Sequence, residues 1–299
     1  MNRRTRWAGE VESLRMALTA LVLCAGVTQA TTVEEDMVWT GGLRSAYFQD
    51  REIHSDDLIT LEAPQRAENA AIVPVSIKAN VPQTEERYIR TVWLFVDKNP
   101  GPLVGKFHFT PASGRADLGL RLRVDAYSPV RAVAETNDGE LHMSRRFVKA
   151  SGGCSAPASS DPDAARQQLG KMKFLVHQED GEEQASAVER HSPTHSPSHR
   201  PTLAQLMIRH PNSSGLQMDQ VTRLYAPPEF VEQVTVSFEG EEIFRAETSF
   251  AVSENPSFRF YFAPQREGEV TAEVIDTEGR QFRETYRVSP VSGEIAARP

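Results

Sequence analysis

Cys154 combines a reactive side chain with an unusual setting. It lies in Ala150-Ser151-Gly152-Gly153-Cys154-Ser155-Ala156-Pro157-Ala158. Two glycines free the backbone and small neighbours leave the sulfur unhindered. These residues predict an exposed thiol on a mobile stretch over Ser151–Ala158, with Gly152, Gly153 and Ser155 as a flexible arm. The thiolate is the reactive form, and a free thiol titrates near ~8.5. Arg145, Arg146 and Lys149 precede it; they favour the thiolate, or they are the solvent face of a strand. No histidine is close by in sequence to serve as base. A carrier on which other proteins act therefore fits better than a self-contained cysteine hydrolase. The plain alternative is an incidental exposed cysteine.

Other chemistry is sparse. There is no Gly-x-Ser-x-Gly elbow, phosphate loop, dinucleotide fingerprint or HExxH. His54 with Asp56 and Asp57 reads as a possible acid–base cluster or, more plainly, a helix cap and solvated charge. His210, before Pro211, reads as structural. His191, His195 and His199 would share a helix face and could bind metal, but Pro193 and Pro197 exclude that helix, which leaves a solvated linker. Neither a metal nor a cofactor is implied.

The leading residues set the redox context. Arg3, Arg4, Arg6 and Arg15 flank the apolar run Met16–Val27, and Thr28-Gln29-Ala30 offers small residues at a cleavage site. This predicts an export signal over residues 1–30, hence a periplasmic protein. Cleavage after Ala30 removes Cys24, one of the 2 cysteines, and leaves Cys154 alone in an oxidising compartment. It also changes the net charge from −8 to −10, with 29 basic and 39 acidic residues left of 33 and 41. Such a charge argues against a general nucleic-acid binder. The remaining chain has no apolar run long enough for a membrane span.

The elements around Cys154 read as strands. Val73, Val75 and Ile77 alternate with polar positions, and Tyr88–Lys98 suits a strand buried on both faces. Leu118, Leu120, Leu122 and Val124 alternate cleanly. Val130–Glu135 and Leu141–Lys149 flank the hairpin turn Asn137-Asp138-Gly139. Asp50–Asn69 is polar and reads as one or two helical turns. A second β-rich block runs from Leu203 to Val288, with Phe258, Phe260 and Phe262 on one strand face. Between the blocks, Asp163–Met172 reads as a short helix and Lys173–His177 as a short strand. The chain thus reads as all-β: a first sandwich over 31–154, a flexible linker over 155–202, a second sandwich over 203–290 and a tail over 291–299.

These residues resemble a known family. Leu94–Leu103 (LFVDKNPGPL), Arg121–Val124, Ser128–Val133 and Gly152-Gly153-Cys154 resemble SoxY, the sulfur-carrying subunit of the thiosulfate-oxidising Sox system. Ile208–Pro211, Phe230–Val236 and Val252–Phe258 are similar to SoxZ, its partner. Both halves in one chain look like the fused SoxYZ-like carriers associated with quinoprotein (PQQ) dehydrogenases. The resemblance implies two immunoglobulin-like sandwiches packed on each other, with a cysteine that holds sulfur intermediates covalently while partners process them. Cys154 falls on that cysteine, and Gly152 and Gly153 fall on the preceding glycines. The implied partners are Sox-type or quinoprotein-dehydrogenase-associated periplasmic enzymes and cytochromes. Two departures set the chain apart: Ser155-Ala156 stand where glycines would follow, and 145 residues come after Cys154, which places the thiol on a tethered loop. A different reading is a binding or assembly module for an exported quinoprotein dehydrogenase or its cytochrome, with Cys154 incidental or forming a disulfide dimer.

Overall fold

The structure, a computed structural model, describes residues 36–157, 162–177, 201–218, 223–288 and 296–297. The expected export signal and the three linker histidines lie outside the described residues. The chain divides into two units, Met1–Asp50 and Arg51–Pro299. The described part of the first is a helical segment, Trp39–Leu43 followed by α1 (Arg44–Phe48), with the Trp39 and Phe48 rings 6.1 Å apart.

The second unit is a two-sheet antiparallel structure. Its first half contributes β1 (Ile59–Glu62), β2 (Val73–Ala79), β3 (Ile89–Val96), β4 (Leu103–Phe109), β5 (Leu118–Leu122), β6 (Ser128–Thr136) and β7 (Leu141–Val148). Next come a short helix, α2 (Pro162–Gln168), and β8 (Met172–His177). The second half continues with β9 (Thr202–Ile208), β10 (Val231–Phe238), β11 (Glu241–Thr248), β12 (Ser257–Phe262), β13 (Gly268–Asp276), β14 (Gln281–Val288) and the two-residue β15 (Ala296–Ala297). One sheet has the order β1-β2-β5-β12-β9-β8 and the other β15-β14-β13-β10-β11-β4-β3-β6-β7.

Local sequence explains most of these strands. In β5 buried leucines alternate with half-exposed residues, as the period of two requires. β6 is buried along its whole length because β3 and β7 flank it within the sheet. The β6–β7 turn ends on Gly139 at φ 94°, where a side chain would be strained. The helical turns expected within Asp50–Asn69 are replaced by β1. Leu58, Ile59 and Leu61 are buried, and β1 pairs along β2 from Ile59↔Ala79 to Glu62↔Ser76. Sheet pairing overrides a locally polar sequence here.

The two halves are joined more intimately than by a linker, because both sheets run through the seam. β4 pairs with β11 from Gly105↔Thr248 to Phe109↔Phe244, and β5 pairs with β12 at Leu118↔Phe260 and Gly119↔Arg259. At Gly105 a Cβ would come within 2.6 Å of the Glu247 carbonyl oxygen, so this pairing needs glycine. Phe107, Phe109, Phe244, Phe258 and Phe260 are all buried and meet across the seam. The Phe244 and Phe260 rings stack at 4.4 Å. Phe244→Ala is expected to cost about 3–5 kcal/mol. Urea denaturation followed by circular dichroism should show a single transition moved to lower urea. Two separated transitions would mean that the halves unfold independently.

Candidate functional site

Cys154 is free and completely buried, at 0% exposure. This corrects the exposed thiol expected from its small neighbours. The cover comes from segments remote in sequence, which strand spacing around residue 154 does not show. After β7 the chain settles against the loop that follows β5. Gly152 donates its N–H to the Asp125 carbonyl at 2.8 Å, and Gly153 donates to the Val124 carbonyl at 3.0 Å. The Cys154 N–H reaches the Asp125 carboxylate at 3.2 Å. From the second half, the Ser214 hydroxyl donates to the Cys154 carbonyl, and Gln217 Nε2 donates to the Ala156 carbonyl at 2.8 Å. Ser155 caps the turn through the Gly152 carbonyl at 3.4 Å.

The glycines therefore serve a purpose other than loosening the arm. Gly152 sits at φ 77°, which favours glycine. A Cβ on Gly153 would lie 2.1 Å from the Ala70 carbonyl oxygen and 2.7 Å from that of Val124. In this structure the arm residues Gly152, Gly153 and Ser155 form a docked turn rather than a projecting one.

A polar framework builds this dock. Asn99 clamps both sides of Arg123–Asp125, donating to the Arg123 carbonyl at 2.8 Å and accepting from the Asp125 N–H at 2.8 Å. Arg123, only 2% exposed, donates through Nη1 to the Phe250 and Val252 carbonyls at 2.9 and 2.6 Å. Asn212 donates to the Val252 carbonyl at 3.1 Å and accepts from the Val231 N–H at 3.0 Å. His210 is buried beneath that loop; its Nδ1 accepts from the Asn212 N–H at 3.0 Å, and its Nε2 lies 3.4 Å from Asp276. His210 thus shapes the loop that carries Ser214 and Gln217. Asn99, Arg123, His210 and Val252 all fall in the runs that carry the SoxY and SoxZ resemblance. Asp125, Ser214 and Gln217 fall outside those runs, and no local pattern marks them.

The electrostatics follow from the burial. Loss of water around the sulfur, reinforced by the neighbouring Asp125 and only partly offset by Arg123, pushes the Cys154 thiol up to about 12. While docked, the thiol is neutral at neutral pH and is a poor nucleophile. An unfolded thiol releases its proton from about 8.5, so the native state holds this proton over a higher pH range. Stability should therefore fall as pH rises from about 8.5 towards 12. Urea midpoints measured under reductant at pH 8 and pH 10.5 should drop further for the wild type than for Cys154→Ala. Equal drops would show that the thiol titrates normally.

The other candidates lie elsewhere. Asp56 bonds His142 Nδ1 at 2.8 Å and caps the Leu58 N–H at 3.1 Å. The His54 ring packs 5.4 Å from that of His142. None of these bonds involves Cys154 or Asp57. Among the described residues, no group of three or more His, Cys, Asp or Glu could hold a metal ion, and no helix is long and apolar enough to cross a membrane.

Comparison with known proteins bears directly on this arrangement. The family model described as "Sulfur oxidation protein SoxY" matches residues 44–154, and "Sulphur oxidation protein SoxZ" matches residues 191–287. The sulfur carrier protein SoxY from Chlorobium limicola f thiosulfatophilum is 26% identical, covers 39% of this chain and 98% of its own, and has a TM-score of 0.33. A superoxide reductase (neelaredoxin) from Ignicoccus hospitalis is 20% identical, covers 32% of this chain and 79% of its own, and has a TM-score of 0.28. No curated protein matches the chain. The SoxY match ends on Cys154 itself, and the SoxZ match takes in the loop that holds it. With both domains in one polypeptide, the chain is a fused SoxYZ-like protein of the sulfur-oxidation family.

Proposed function

We propose that the protein is a periplasmic covalent carrier that holds a sulfur intermediate, or another thiol-reactive group, on Cys154 and presents it to partner enzymes. The supporting observation is that the SoxY match terminates on the free cysteine, in a dock built by both halves. A docked thiol that is buried and neutral cannot exchange cargo. The carrier cycle therefore includes release of residues 151–157, loading or unloading by a partner, and return. The partners in this reading are Sox-type or quinoprotein-dehydrogenase-associated enzymes and cytochromes, and the chain itself is not an enzyme.

The burial of Cys154 gives a second reading some weight. In it the protein is a binding or assembly module for an exported quinoprotein dehydrogenase or its cytochrome, and the cysteine is a structural residue. Intact-mass spectrometry of protein from its native periplasm separates the two. Carriage gives added mass that reductant removes and that Cys154→Ser never acquires. An unmodified thiol under all growth conditions would leave only the binding module.

A further inference from the structure

Among the described residues, two large side chains are both cationic and fully buried, Arg123 and Arg131. They are treated differently. Arg131, 1% exposed, is matched by the Asp97 carboxylate, whose Oδ2 lies 2.8 Å from its Nε. Arg123, 2% exposed, has no carboxylate within ion-pair distance among the described residues. Its Nη1 is spent on two main-chain carbonyls, and its Nε–H has no hydrogen-bond partner. A buried cation without a counter-ion is destabilising, and an unpaired buried donor adds to that cost. Such a group points to an anion that the bare protein does not supply.

The nearby groups narrow down where that anion would come from. The arm lies on the residues that follow Arg123, with Gly153 bonded to the Val124 carbonyl and Cys154 to the Asp125 carboxylate, and Cys154 and Glu254 are the charge-bearing groups that act on Arg123. Asp125 is engaged, since its carboxylate accepts the Cys154 N–H. The thiol is neutral in the dock and cannot serve as the counter-ion. The outward side of the arm is open: Ser151, Gly152 and Ser155 are exposed, and a Cβ on Gly152 would meet nothing within 4 Å. The arm can therefore move outward on this side once its bonds to Ser214 and Gln217 open.

We propose that Arg123 is the receptor for a negative charge carried on Cys154, its unpaired Nε–H binding the anionic end of a sulfur adduct when the arm re-docks. Cationic adducts are rejected, and neutral ones dock without the added bond. This rests on the carrier reading and adds a residue that discriminates by charge.

The test loads the full-length protein at Cys154 with either 2-sulfonatoethyl or 2-(trimethylammonio)ethyl methanethiosulfonate. In each case the thiolate attacks the reagent's sulfenyl sulfur, a mixed disulfide forms, methanesulfinate leaves, and intact mass confirms loading. Amide exchange over residues 151–157 is then compared. In the wild type the sulfonate adduct should exchange about tenfold more slowly than the cationic one, the scale of a charge-assisted hydrogen bond. The difference should persist in Arg123→Lys and vanish in Arg123→Met. Equal exchange of the two wild-type adducts, or better protection of the cationic one through Asp125, overturns the proposal. The wild-type comparison decides even if Arg123→Met does not fold. Absence of any adduct on protein from the native periplasm would instead sink the carrier reading.

Discussion

Gly153→Ala should expel the arm and raise the reactivity of Cys154 at least a hundredfold. The added Cβ would sit 2.1 Å from the Ala70 carbonyl oxygen, inside any permissible contact and against main chain that cannot swing aside. Relief has to come from the arm, which loses the Gly153 bond to Val124 and with it the alignment of Gly152 and Cys154 on Asp125. The released thiol regains water and its pKa falls back towards ~8.5. A drop from about 12 multiplies the thiolate present at pH 8 by several hundred or more. The check is the rate of reaction with an aromatic disulfide reagent at pH 8, alongside the melting temperature. The turn belongs to neither sheet and is held by a handful of hydrogen bonds, so melting should move by only a few degrees. An unchanged rate would mean that the docked turn is not what limits the thiol.

The second large effect concerns the opposite wall. Ser214→Ala combined with Gln217→Ala removes the two side-chain hydrogen bonds through which the second half holds the Cys154 and Ala156 carbonyls. At about 1 kcal/mol each, their loss shifts the docked–released balance by about 2 kcal/mol, or roughly thirtyfold. The rate of thiol modification should rise by about that factor, and each single variant should account for part of it. Ser214 also accepts the Leu216 N–H at 3.2 Å, and Gln217 Oε1 accepts the Ser214 N–H at 3.2 Å, so either single variant loosens its own loop as well as the arm. A double variant that reacts at the wild-type rate would place control of the arm wholly within the first half.

These two experiments act on the part of the protein that was hardest to read from sequence. The strands are accessible because their burial is local: Leu118, Leu120 and Leu122 alternate with half-exposed residues and share one buried face of the sheet. Cys154 was accessible because its two preceding glycines and the SoxY-like runs mark it. Its burial was not. The groups that cover it lie 29 residues back, at Asp125, and 60 residues ahead, at Ser214, and no periodicity connects such positions. β1 is hidden in the sequence for a related reason. Its neighbours are charged, and its strand character comes from pairing with β2 rather than from its own pattern. The seam pairings of β4 with β11 and of β5 with β12 were equally silent, since an edge strand looks the same in sequence whether its partner is solvent or another domain.

The shared sheets have a consequence for how the dock behaves under dilution. Ser214, Gln217 and the carbonyls that receive Arg123 all belong to the second half, whereas the arm belongs to the first. If the halves were separate chains, the occupancy of the dock would depend on their concentrations and would decline wherever the pair dissociated. Here one polypeptide and two continuous sheets make the encounter intramolecular, so the effective concentration of each half for the other is fixed by geometry. The sheltered state of the sulfur is thus independent of protein abundance. A single molecule, however scarce, keeps both its thiol and the cover for that thiol.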